Sequence, residues 1–170
     1  MKPKIIQAHM ATAHIYAQLS HARRLKVGAI AVKDGRIISI GYNGMPAGWD
    51  NNCEEKIWLN PEAKFHPDTV NEMYPYYGEQ EVGDHIQNGR YGLKTKPEVL
   101  HAESNAIAKL ARSNESGLDA DLFVTHAPCM DCAKLIFQSG FKRVFFGTAY
   151  RDESGIRFLK NSGVAVEQVE

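Results

Sequence analysis

The sequence predicts an α/β protein, a three-layer αβα sandwich built around a five-stranded mixed sheet in one domain spanning residues 1–170. Three observations carry that prediction. A helical stretch runs into a two-stranded hairpin near the N-terminus, strands and helices alternate from His101 onward, and 170 residues is the size of one core.

The elements follow in order. From Ile5 to Leu19 the apolar residues keep helical spacing, with Pro3 at the start. Val27–Val32 reads as a strand, Lys33-Asp34-Gly35-Arg36 as a hairpin turn and Ile37–Tyr42 as the return strand. Gly44, Pro46 and Gly48 end regular structure. Between about 49 and 95 prolines and glycines interrupt any long element, so this stretch is expected to be an irregular insertion with too few apolar residues for its own core. Order returns with a helix over His101–Arg112 and a strand over Asp121–Thr125. A helix over Cys129–Gln138, a strand over Arg143–Gly147, a helix over Glu153–Lys160 and a strand over Val164–Val169 complete the set.

Composition narrows the function classes. No run approaches the ~18–20 apolar residues of a membrane span, and an apolar leader is absent from the N-terminus. Three cysteines, two of them in one C-x-x-C, are no disulfide framework, so a cytoplasmic setting is expected. Twenty basic and twenty acidic side chains cancel. Proteins that hold long polynucleotides carry excess Lys and Arg, so the balance favours a small substrate over a long nucleic acid.

The chemistry is concentrated in His101-Ala102-Glu103 and Pro128-Cys129-Met130-Asp131-Cys132. A catalytic zinc takes three protein ligands and leaves a position for water. His101, Cys129 and Cys132 are the expected ligands of one Zn2+ per chain, and Glu103 the proton carrier. H-x-E with P-C-x-x-C is the signature of zinc-dependent nucleobase deaminases, in which the Glu is not a ligand. Cys129 and Cys132, three apart at a helix start, share a face, and the helix N-terminus favours thiolates. Glu103 is expected to move a proton from zinc-activated water to the substrate ring nitrogen as hydroxide attacks, then to protonate the departing amine.

Beyond these motifs, Lys26-Val27-Gly28-Ala29, Gly35–Ser39, Gly41-Tyr42-Asn43-Gly44-Met45-Pro46-Ala47-Gly48 and Lys96-Pro97-Glu98-Val99 extend the pattern. With them the chain resembles the deoxycytidylate (dCMP) deaminases of the cytidine deaminase superfamily, over residues 5–48 and 96–170. The resemblance implies a cytidine deaminase-like fold and attack at cytosine C4, giving dUMP for thymidylate synthesis and ammonia. It implies substrate contacts at Asn43, Lys26, Tyr150, Ser20, Arg23 and Ala102, with Arg151 assisting. It also implies activation by dCTP with Mg2+, inhibition by dTTP and a homohexamer. Effector contacts are expected at Gly41, Tyr42, Gly44 and Arg112, whereas Lys109 departs from the apolar residue of some relatives. Some relatives hold a second, structural zinc; here only Cys53 remains, with His21, His66 and His85 as scattered partners and Ala22 and Asn52 where cysteines would complete the site.

Other readings fit less well. A tRNA adenosine deaminase shares H-A-E and P-C-x-x-C, but neutral charge and the 41–48 motif count against it. Free cytidine deaminases often replace the motif's His by Cys, and riboflavin-pathway deaminases have a longer second motif. A structural zinc module needs a fourth protein ligand, and no further thiol lies near Cys129 and Cys132 in sequence.

Overall fold

The computed structural model describes residues 1–150 and 152–169, so Arg151 lies outside the described residues. Among the described residues, eight strands and five helices follow in the order α1 (Pro3–Ala17), β1 (Gly28–Lys33), β2 (Arg36–Tyr42), β3 (Glu54–Trp58), α2 (Pro67–Met73), β4 (Tyr76–Val82), β5 (His85–Thr95), α3 (Ala102–Leu110), β6 (Asp121–His126), α4 (Met130–Gln138), β7 (Arg143–Thr148), α5 (Ser154–Asn161) and β8 (Ala165–Gln168). No described helix is long and apolar enough to cross a membrane.

The main sheet has strand order β2-β1-β6-β7-β8. β1 runs antiparallel to β2 and β6, while β6, β7 and β8 are parallel, so the sheet is mixed and five-stranded. Asp34 and Gly35 both take positive φ (50° and 75°), the two-residue hairpin geometry that an Asp-Gly pair favours. The parallel strands are joined through α4 and α5, as parallel pairs require.

Alternation along the strands sorts two cores. Ala29 and Ala31 of β1, Leu122 and Val124 of β6, and Val144 and Phe146 of β7 face α3, α4 and α5. Ile30, Val32, Phe123 and Phe145 point the other way, onto Met10 and Ala13 of α1. Phe123 and Phe145, paired in register across β6 and β7, stack with ring centroids 4.6 Å apart. The result is the three-layer αβα sandwich: α1 on one face, three helices on the other.

Helices reach the sheet closely where a strand residue has no side chain. A Cβ on Gly28 would lie 2.1 Å from the Ala13 carbonyl oxygen of α1. One on Gly41 would lie 2.0 Å from the Ala102 carbonyl oxygen of α3. Glycine at these positions is a packing requirement, because any side chain would push a helix off the sheet.

The segment expected to be irregular is instead ordered. Residues 54–95 form a three-stranded antiparallel sheet, β3-β5-β4, with α2 packed beside it. Its strands are mostly exposed on both faces, so no apolar alternation announces them. Gly78 and Gly89 are cross-strand partners, and Trp58 covers the open patch, its ring atoms 3.7 and 3.2 Å from where their Cβ atoms would lie. Gly83, at φ 61°, turns the β4-β5 hairpin. The ends of this excursion meet: the Lys96 amide donates to the Cys53 carbonyl at 3.0 Å.

Candidate metal centre and active site

α3 and α4 begin side by side at one end of the sandwich. His101 is the N-cap residue of α3 and Cys129 that of α4, with Cys132 in the first turn. Neither side chain is spent on a capping hydrogen bond, and both face a common point. His101 Nδ1 lies 3.6 Å from Cys129 Sγ and 3.4 Å from Cys132 Sγ. Metal bonds of roughly 2.05 Å to nitrogen and 2.3 Å to sulfur at a tetrahedral angle put N and S about 3.6 Å apart. The donor set fits zinc in identity, number and spacing. Among the described residues, these three form the group of His, Cys, Asp and Glu close enough to hold a metal.

The electrostatics agree with a cation site. The Cys129 thiol is pulled down to about 4, first by the hydrogen bond from Cys132 and then by that from His101. The same bond, and then burial, pushes Cys132 up. The pair thus carries one ready thiolate, and a dication would displace the remaining proton.

Glu103 is buried, at 4% exposure. Burial pushes its carboxyl up to about 7, against the lowering influence of its own backbone amide and of His101. A carboxyl balanced near neutrality both accepts and gives a proton, as a shuttle must. It opens onto a cavity of about 560 Å³ that His101, Ala102 and Cys129 also line.

The remaining expectations divide. Asn43 and Tyr150 line this cavity. The Asn43 amide is also structural: Nδ2 donates to the Leu25 carbonyl at 2.8 Å, and Oδ1 accepts from the Val27 amide at 2.7 Å. Ser20, Arg23 and Lys26 are not on the cavity wall. Ser20 is buried, its hydroxyl accepting from the Ala22 amide, and Arg23 turns outward to Glu54. From that segment Arg24 is on the wall, with Ala22, Leu25 and Val27, together with Glu54 and Thr95 from the inserted sheet and His126 from β6. The sequence carried no signal for Glu54 and Thr95, because their nearness depends on the fold of residues 54–95.

A second cavity, about 300 Å³, is lined by Tyr42, Gly44, Gly48 and Lys109, and Asn43 lies on the wall of both. Gly41 and Arg112 are not on it: Gly41 faces α3, and Arg112 lies beyond that helix's end. Lys109 reaches back to donate to the Ile40 carbonyl at 3.0 Å, over the Tyr42 ring. Cys53 packs with Ala22, Val99 and Met45, and among the described residues it forms no metal-holding group with His21, His66 or His85.

Comparison with known proteins decides the lineage. The cytidine and deoxycytidylate deaminase zinc-binding region matches residues 3–148. The chain belongs to the cytidine and deoxycytidylate deaminase family. The deaminase is 36% identical to the deoxycytidylate deaminase of Enterobacteria phage T4, over 92% of its own length and 86% of the phage protein. It is 33% identical to the human deoxycytidylate deaminase over 81% of its length, covering 61% of the human protein. Among solved structures, the dCMP deaminase of cyanophage S-TIM5 in complex with dCMP and dUMP superposes with a TM-score of 0.74 at 39% identity, over 99% of both chains. A tRNA:A34 deaminase, at 21% identity and a TM-score of 0.52, shares the fold alone.

Proposed function

We propose that the deaminase hydrolyses dCMP to dUMP and ammonia in the cytoplasm, with one zinc held by His101, Cys129 and Cys132. The observation that carries this reading is the buried Glu103 carboxyl, poised near neutrality on a cavity wall shared with His101 and Cys129 of the ligand triad. The cyanophage relative solved with dCMP and dUMP supports the substrate.

Bound there, zinc would act as a Lewis acid and supply a nucleophilic water at neutral pH. Glu103 takes a proton from the attacking water and delivers it to the ring nitrogen beside C4. Glu103 then takes the proton of the new C4 hydroxyl and passes it to the amino group, so that the C–N bond breaks, ammonia departs and the C4 carbonyl forms. Burial keeps bulk water from competing for that proton. Sugar and base contacts are proposed for Asn43 and Tyr150, a reading supported by their place on the cavity wall.

Control by dCTP with Mg2+ and by dTTP is part of the proposal. The second cavity, in the 41–48 loop, supports it, and Asn43 gives the two cavities a shared wall. Exposed Leu135 and Phe137 on α4 and Leu118 support assembly of several copies, proposed as a hexamer.

Ammonia release from dCMP by zinc-loaded protein, with and without dCTP and Mg2+, tests the reading. Turnover that rises with dCTP is expected. No turnover in either condition, with zinc confirmed bound, overturns it and moves another base substrate forward.

A further inference from the structure

We propose that Glu54, the first residue of the inserted sheet, is a positioning residue that sets Arg24 against the anionic end of the nucleotide. This rests on the reading of dCMP as substrate. Glu54 is 1% exposed. A buried carboxylate is tolerated only where several donors satisfy it. Here Oε1 accepts from the consecutive backbone amides of Arg23 at 2.8 Å and Arg24 at 3.2 Å, and Oε2 meets Arg23 Nε at 3.4 Å.

Fixing two consecutive amides sets the bend of the chain there, and with it the directions of two neighbouring side chains. Arg23 swings outward, half exposed, with Nη2 on Asn52 Oδ1 at 3.4 Å. Arg24 goes to the cavity wall, where Nη1 donates to Thr95 Oγ1 at 3.2 Å. Thr95 is the strand partner of Glu54 in the β3-β5 register, so one rung of the inserted sheet holds both the backbone and the guanidinium. Downstream, the Asn43 amide ties Leu25 and Val27. The segment 23–27 is thereby pinned at both ends, and no freedom remains in where Arg24 begins.

Among the described residues lining the cavity, Arg24 is the one Lys or Arg. A guanidinium offers paired donors that match a phosphate, and Thr95 occupies only one of them. The ligand class that suits this wall is a nucleoside monophosphate rather than a nucleoside.

The test compares kcat/KM for dCMP with that for deoxycytidine, as substrate or as competing ligand, in four zinc-loaded proteins: wild type, Arg24→Ala, Glu54→Gln and the double variant. Arg24→Ala is expected to shrink the preference for dCMP by about 10- to 100-fold, the worth of a charge-assisted contact. Glu54→Gln keeps the shape and one acceptor oxygen but weakens the grip on the two amides, and is expected to shrink it by about tenfold, mostly in KM. If Glu54 acts through Arg24, the double variant is no worse than Arg24→Ala alone. A Glu54→Gln that weakens both ligands alike, or adds fully to Arg24→Ala, overturns the positioning role. So does an unchanged preference in either single variant. Wild-type protein that releases no ammonia from dCMP overturns the substrate reading, and the proposal with it.

Discussion

Gly41→Ala tests whether the backbone contact between β2 and α3 sets the metal site. The added Cβ would sit 2.0 Å from the Ala102 carbonyl oxygen and 2.6 Å from the Ala106 amide nitrogen, where ordinary contact begins at 3.4 Å. No side chain can yield, because both neighbours are helix backbone. The helix must lift by roughly 1 Å, an overpacking strain of about 1–3 kcal/mol. Each kcal/mol lowers the melting temperature of a chain this size by about 2–4 °C. His101 caps α3, whereas Cys129 and Cys132 ride on α4, so the lift opens the 3.4 and 3.6 Å gaps between Nδ1 and the two sulfurs. A gap widened by that much exceeds what bonds of about 2.0–2.3 Å can bridge. Zinc content should fall, and turnover should drop by about 100-fold, the usual cost of such a misplacement. Metal analysis, thermal melting and ammonia release read all three. Gly44→Ala is the control for stability, since nothing lies within 4 Å of its Cβ position and it should melt like wild type. A Gly41→Ala protein with full zinc and turnover within about threefold of wild type would refute the reasoning.

Glu103→Gln should bind zinc normally and lose about 10²- to 10⁴-fold in turnover, since both proton transfers need the carboxyl; a variant keeping more than about a tenth of normal activity contradicts that role. Arg143→Met strips Asp121, buried in the sandwich, of two short bonds of 2.7 and 2.6 Å. Chemical denaturation should show a loss of about 3 kcal/mol, and an unchanged midpoint would mean the pair contributes nothing. His9 stands over Phe123 with Nε2 buried and unbonded, and burial holds its pKa below 6.5 despite Asp121. A base whose folded pKa is depressed takes up protons on unfolding, so its share of stability is present at neutral pH and lost as pH falls below about 6.5. His9→Phe should melt with a flatter pH dependence than wild type from about pH 7.5 to about pH 5, and parallel curves would exclude His9 as a source of acid sensitivity.

The sandwich was legible because its elements obey local rules. β1 carries a continuous apolar run and β6 the shorter run Leu122–Val124, as strands covered on both faces do, and the Asp34-Gly35 turn is written in two residues. The metal centre was legible for a similar reason: two short motifs at two helix starts carry it, and each helix presents its ligands without help from distant chain. The inserted sheet was hidden. Its strands are exposed on both faces, and Gly78 and Gly89, which look like breakers, are a covered cross-strand pair. With that sheet went the wall it builds. Sequence reasoning placed the anion contact on Ser20, Arg23 and Lys26, which lie four residues before, one before and two after the Arg24 that reaches the cavity. Which of two adjacent arginines faces inward depends on a carboxylate about thirty residues away, and no local pattern encodes that.

The bond between the Cys53 carbonyl and the Lys96 amide makes the inserted sheet a side trip that departs from and returns to almost one point. Chain length between those two residues is therefore decoupled from the geometry of the sandwich, since growth or trimming at the β4-β5 hairpin leaves the take-off and landing points in place. What is not free is the chemistry of the first and last rung, because Glu54 and Thr95 sit where the excursion rejoins the catalytic body. The insert can be read as a replaceable cartridge with a fixed connector: its far end is open to drift in sequence and size, while its two terminal residues carry the constraint for the whole segment.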